Sequence, residues 1–105
     1  MLESKFQAAL IKDLKHIFVG CIILKNDANY IQGFPDLIIL YKDKWAVLEC
    51  KRDHSEPYRP NQEYYLDILG GMSFARTIYP GNKEEILGEL QQAFRPDRAS
   101  RISRG

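Results

Sequence analysis

The chain has 105 residues, a formal net charge of +1, 45% hydrophobic residues and 28% charged residues. This length predicts one domain with its own core, and the composition is that of an ordinary soluble globular protein. The balanced charge gives no sign of a chain that coats nucleic acid. The sequence shows neither a membrane span nor a signal peptide.

Apolar residues in the first half predict one helix and three strands. They recur every three or four positions over residues 2–17, which predicts an amphipathic helix that ends at Gly20. A short apolar run at 21–24 is the first predicted strand. The continuous apolar run at 37–41 predicts a second strand that is buried on both faces. Residues 45–51 should pair with it as a hairpin.

The second half predicts a helix, a strand and a last helix. The first of these helices is expected from Pro60 to about residue 69, ended by the Gly70-Gly71 pair. A fourth strand is expected over 74–79. Asn82 should then cap the last helix in a capping box. The order αβββαβα predicts a single α/β domain, with a mixed sheet sandwiched by helices.

Two short segments concentrate the charged residues that suit catalysis. Gly33-Phe34-Pro35-Asp36 leads into the second predicted strand, and Glu49-Cys50-Lys51 ends the third. Alternate strand residues share a face, so Glu49 and Lys51 should project together and meet Asp36 across the hairpin. Two carboxylates suit Mg²⁺ or Mn²⁺, and a nearby lysine can activate water or stabilise a charged phosphate. The competing interpretation is an ordinary turn aspartate with exposed strand-end charges.

This pattern resembles the PD-(D/E)XK nuclease superfamily, here in the form Pro35-Asp36 and Glu49-x-Lys51. The short chain looks most similar to stand-alone VRR-NUC domains, which are similar to phage Holliday-junction resolvases. The resemblance covers about residues 1–94. It implies a restriction-endonuclease-like fold and Mg²⁺-dependent hydrolysis of phosphodiester bonds in DNA, with Mn²⁺ as a possible substitute.

The resemblance assigns roles to two further residues. It makes Glu3 a metal ligand with Asp36 and Glu49, although a glutamate at a helix N-terminus is also favourable by itself. It makes Gln62 a catalytic residue that bonds a water or a phosphate oxygen. A plain helix-surface role for Gln62 is equally open, because Leu66 stands where some relatives have a tyrosine.

The remaining candidates are expected to contact DNA. They are Tyr30, Arg52, Tyr58, Arg59, Arg95 and Arg98. The last two lie in a basic tail over residues 95–105, which carries four arginines against one aspartate and is expected to be flexible. The tail is either suited to phosphate contacts or only a solvated terminus.

The expected function is a metal-dependent DNA endonuclease selective for branched DNA such as Holliday junctions, acting as a homodimer. The alternatives are a monomeric nickase, a flap or restriction-like nuclease, and a catalytically inactive DNA-binding module. Cys21 and Cys50 are far apart, which predicts reduced thiols, no zinc site and a cytoplasmic location, in the host if the chain is phage-encoded. No membrane partner is expected.

Overall fold

The computed structural model describes residues 3–27 and 29–96. The expected order αβββαβα is confirmed over these residues, in a single α/β domain. The elements are α1 (Glu3–Ile17), β1 (Ile22–Lys25), β2 (Leu37–Tyr41), β3 (Lys44–Cys50), α2 (Gln62–Met72), β4 (Phe74–Ile78) and α3 (Lys83–Ala93).

The four strands form one mixed sheet in the order β1-β2-β3-β4. The pairs β1–β2 and β2–β3 are antiparallel, and β4 runs parallel to β3 after the chain crosses through α2. The start of β2 and the ends of β3 and β4 therefore lie at one end of the sheet. The predicted hairpin of β2 and β3 is confirmed, with Leu37 opposite Leu48.

Helices cover the two faces of the sheet unequally. On one face, the apolar sides of α1 and α3 pack on alternate residues of β2 and β3 in the main core, where Leu10, Leu48 and Leu90 are fully buried. On the other face, α2 covers only β3 and β4. Its Gly70 faces Ala75, where an added Cβ would meet the alanine methyl at 3.9 Å.

The uncovered part of this second face corrects one prediction. β2 is not buried on both faces, because α2 does not extend over β1 and the outer part of β2. Leu37 and Ile39 face the core and are fully buried, whereas Leu40 is 38% exposed. The apolar run at 37–41 therefore includes residues that remain on the surface.

The bounds of α2 and the capping of α3 also differ from those expected. α2 begins at Gln62, after Asn61 in the left-handed region (φ 71°), and continues through Gly70-Gly71 to Met72. Glycine costs about 1 kcal/mol relative to alanine inside a helix but does not by itself end one. Asn82 precedes α3 without a capping bond. Its side chain instead accepts the Tyr79 N–H (2.8 Å) and donates to the Thr77 carbonyl (3.1 Å), closing the β4–α3 turn.

None of the helices in the described residues has the length and apolar content that crossing a bilayer requires.

Candidate active site

The structure brings Asp36, Glu49, Lys51 and Gln62 to the same end of the sheet. Asp36 immediately precedes β2, Glu49 and Lys51 lie at the end of β3, and Gln62 is the first residue of α2. The register of the hairpin places Asp36 across from Glu49. The Asp36 Oδ2 accepts the backbone N–H of Cys50 at 2.9 Å, which fixes this carboxylate beside the end of β3.

A chain of hydrogen bonds connects Glu49, Gln62 and Lys51, all of which are buried. The Gln62 Nε2 donates to Glu49 Oε2 at 2.6 Å, and Gln62 Oε1 accepts from Lys51 Nζ at 2.8 Å. The Arg59 N–H also donates to Gln62 Oε1 at 2.6 Å. Reversing the amide would set its NH₂ against these donors, so the orientation of Gln62 follows from its partners.

The Lys51 ammonium lies among oxygen atoms. It donates to the Pro57 carbonyl at 3.1 Å as well as to Gln62. The Glu49 Oε2 lies 3.7 Å from it, and the Glu56 Oε2 lies 3.9 Å from it. A buried ammonium held this way keeps its charge at a fixed position, which is what stabilising a phosphate requires.

The two carboxylates favour their protonated forms more than exposed acids do. Burial, followed by the negative charge of Asp36, raises the pKa of Glu49 to about 8, although Lys51 opposes this shift. Burial also raises the pKa of Asp36, against the Cys50 N–H and the Lys51 charge, which lower it. The site therefore holds two carboxylates whose charged forms are disfavoured by burial, and a bound cation would favour those charged forms.

One atom of the site has no hydrogen-bond partner within the described residues: the buried Glu49 Oε1. An unpaired buried carboxylate oxygen is costly unless something else binds it. The described residues contain no group of three or more His, Cys, Asp or Glu side chains arranged to hold a metal. Mg²⁺ is usually held by one or two carboxylates with waters and phosphate oxygens, so the Asp36–Glu49 pair fits its chemistry.

Glu3 lies at the margin of the site. The charges of Asp36 and of Glu56 contribute, after burial, to the raised pKa of Glu3. Glu3 therefore belongs to the same electrostatic neighbourhood without completing a three-carboxylate group. Its assignment as a metal ligand stays a prediction.

Sequence reasoning missed Glu56. Its side chain is 11% exposed and accepts the Arg52 Nε at 3.0 Å and the Arg52 backbone N–H at 2.9 Å. Its Oε2 also lies 3.9 Å from Lys51 Nζ. No periodicity could have identified it, because it lies in an irregular loop. Its spacing of five residues from Lys51 suggests proximity only once the loop is known to turn back.

Four of the residues expected to contact DNA lie around the site. Tyr30 is 82% exposed, and Arg59 is exposed as well. Both line a cleft that Asp36 and Gln62 also line. Tyr58 has its ring 5.1 Å from Lys51 Nζ and its hydroxyl 2.8 Å from Thr77 Oγ1. Arg52 is exposed but paired with Glu56.

The structure does not bring Arg95 to the site. It follows Phe94, whose ring stacks on Tyr41 at the hairpin end of β2, the opposite end of the sheet. Along a strand of five residues, the two ends are about 15 Å apart. Arg98 and the rest of the tail beyond Pro96 lie outside the described residues.

Comparison with known proteins identifies the fold. No protein-family model and no curated protein matches the sequence. Among solved structures, the chain is similar to one described as a VRR_NUC domain protein, with a TM-score of 0.62 and 17% identity over 90% of this chain and 88% of that one. The chain therefore has a VRR-NUC-like fold, in agreement with the fold that the resemblance of Pro35-Asp36 and Glu49-x-Lys51 implies.

Proposed function

We propose that the protein is a metal-dependent endonuclease that hydrolyses phosphodiester bonds in DNA. The observation that carries the proposal is the cluster of the half-buried Asp36 with the buried Glu49 and Lys51, in which Glu49 Oε1 has no partner among the described residues. The VRR-NUC-like fold supports a nuclease. Asp36 and Glu49 would hold Mg²⁺, or Mn²⁺ in its place, with Glu3 as a further candidate ligand.

The bound cation would supply Lewis-acid stabilisation of the charge that develops on the phosphate. The chain's own residues would orient the reaction. Lys51 keeps one N–H beyond its bonds to Pro57 and Gln62, and this N–H can donate to the attacking water or to a phosphate oxygen. The Gln62 amide makes three hydrogen bonds within the site, so its role would be to position Lys51 and Glu49.

The same geometry argues against an inactive DNA-binding module. Burying Glu49 and Lys51 carries a desolvation penalty of several kcal/mol per ion before their attraction offsets it. A surface that only bound DNA would achieve more with exposed lysines and arginines, which contact phosphates without that penalty. The cluster is therefore better explained by catalysis.

The deciding experiment is a cleavage assay with and without Mg²⁺ on four-way junctions, flaps, linear duplex and single strands. We expect metal-dependent cutting, with branched DNA preferred, because a small domain offers little surface for reading base sequence and favours recognition of DNA shape. Equal cutting of duplex and junction would favour the nickase alternative. The absence of cutting with all four substrates in Mg²⁺ and in Mn²⁺ would contradict the proposal.

Removing the lysine amine is expected to slow cutting much more than it weakens metal binding. Lys51→Ala should lower the rate by about 10²-fold, the usual loss for one stabilising donor or proton-transfer group. Single-turnover kinetics and a Mg²⁺ titration measure the two effects separately. Lys83→Ala is the matched control, because Lys83 pairs with Asp13 on α1 instead of with the site. Near wild-type cutting by Lys51→Ala would show that the lysine does not contribute to the cleavage rate.

We also propose that the protein forms a homodimer, since paired cuts in a junction suit a two-fold assembly. The uncovered sheet face supports a second copy as its occupant. Ile22 and Leu24 of the edge strand β1 are 58% and 47% exposed beside Leu40, and Ile68 and Met72 of α2 are also exposed. An apolar edge strand with no charged residue at its centre to prevent pairing is suited to pairing with an identical strand.

A charge on this face should therefore dissociate the dimer. Leu24→Glu is expected to give a monomer by light scattering at micromolar concentration, with an unchanged circular dichroism spectrum. Val19→Glu is the control, because Val19 is 79% exposed in the turn before β1 and lies off the sheet. A wild-type protein that is already monomeric, or a dimer that tolerates Leu24→Glu, would contradict this surface.

A further inference from the structure

A polar cleft of about 480 Å³ opens directly beside the candidate active site. One wall is the loop before β2, with Asn29, Tyr30 and Gln32, and the other carries Arg59. Asp36 and Gln62 line the same cleft, so whatever occupies it adjoins the site. The volume falls in the range of pockets for small organic groups and is far too small for a duplex.

The two walls are held in place before any ligand arrives. Gly33 (φ +85°) touches the opposite loop so closely that an added Cβ would lie 2.5 Å from the Pro60 carbonyl oxygen. The Asn26 side chain donates to the carbonyls of Ile31 (3.2 Å) and Phe34 (3.3 Å), which fixes the loop from within. A preformed cleft does not have to be ordered by its ligand, which favours binding.

The groups left free in the cleft suit a nucleobase. The Asn29 and Gln32 amides make no side-chain hydrogen bond to another described residue, so both can pair with base edges. The Tyr30 ring is 82% exposed at the rim and offers a stacking surface. Arg59 supplies a cation for the adjoining phosphate.

We infer that this cleft binds one unpaired nucleobase next to the phosphate that is cut. The inference rests on the proposed nuclease function and specifies its substrate. A base stacked and paired inside a duplex cannot enter, so the enzyme would act where a nucleotide is already unpaired or easily extruded, as at bulges and branch points. Selectivity for branched DNA would then come from this cleft.

The test compares DNA duplexes that differ only in one unpaired position. The first carries a bulged thymidine, the second carries a bulged abasic site, and the third is fully paired. Binding is measured by fluorescence anisotropy in EDTA, and so does not depend on cleavage. We expect the bulged base to bind about tenfold more tightly than the abasic bulge, since stacking one base on an aromatic ring is worth about 1–3 kcal/mol.

Variants at Tyr30 test whether the difference in affinity between the two bulges comes from the cleft. Tyr30→Ala should remove the preference for the base, whereas Tyr30→Phe should keep it. Tyr64→Ala is the control, because Tyr64 is 60% exposed on α2 and does not line the cleft. Equal binding of the two bulges by the wild-type protein would overturn the inference. A base preference with no cleavage in Mg²⁺ would leave the cleft assignment standing and refute only the nuclease proposal.

Discussion

Asp36→Asn is expected to abolish DNA cleavage, with a loss of at least about 10³-fold, while the protein stays folded and still binds DNA. A metal that stabilises transition-state charge is worth several kcal/mol, and each 1.36 kcal/mol is a factor of ten in rate. The asparagine oxygen can still accept the Cys50 N–H that Asp36 Oδ2 accepts at 2.9 Å. Removing one negative charge also relieves the repulsion that raises the pKa of Glu49.

Three measurements separate these effects: cleavage rate in Mg²⁺, DNA affinity in EDTA, and thermal unfolding. Asp67→Asn is the matched control, because Asp67 is exposed on α2. Undiminished wild-type cutting in EDTA would contradict the hypothesis that cleavage depends on a bound metal. An Asp36→Asn protein that cuts as the wild type does would remove Asp36 from the site while leaving the fold assignment intact.

The sequence indicated the fold well because local patterns decide most of it. The run at 37–41 coincides with β2, and β3 covers all but the last residue of the strand predicted over 45–51. The clustering of Asp36 with Glu49 followed from the alternation of side chains along these two strands. These features depend on residues that are neighbours along a strand or across a hairpin.

The features that were missed depend on contacts between distant segments. Gly70-Gly71 predicted a helix end, but α2, which packs against β4, continues through both glycines to Met72. Because α2 does not extend over the outer part of β2, Leu40 is exposed in a strand that the sequence predicts to be buried on both faces. Glu56 reaches Lys51 only because the loop after β3 turns back. None of these contacts leaves a periodic trace in the sequence.

Gln62 shows which contacts of a site residue the sequence does not reveal. The sequence suggested that its amide bonds a water or a phosphate. In the structure its oxygen accepts from Lys51 and Arg59, and its nitrogen donates to Glu49, so only one N–H is left over. The resemblance put Gln62 near the site, but only tertiary packing could decide which atoms of the chain it contacts. Its bond to a water or a phosphate oxygen stays a prediction.

The stability of the metal-free protein should fall as the pH rises from about 4.5 to about 8, and Mg²⁺ should reverse that fall. The folded-state pKa of Glu49 is about 8, against an ordinary value of 4.5. Between these values the folded state holds a proton that the unfolded state releases, so raising the pH favours unfolding. At 1.36 kcal/mol per pKa unit, the loss is on the order of 3–5 kcal/mol.

Glu49→Gln should flatten this pH dependence because the titrating group is gone, and it should abolish cleavage because a metal ligand is gone. The wild-type melting temperature at pH 8 should rise with Mg²⁺, since a ligand at 100 times its Kd adds about 2.7 kcal/mol to the free energy of unfolding. The variant should show no such rise. Glu63→Gln, on the exposed surface of α2, should behave as the wild type in both respects. A Mg²⁺-dependent rise that survives Glu49→Gln would place the cation elsewhere, because the buried Oε1 without a partner is the atom that a cation at this site would bind.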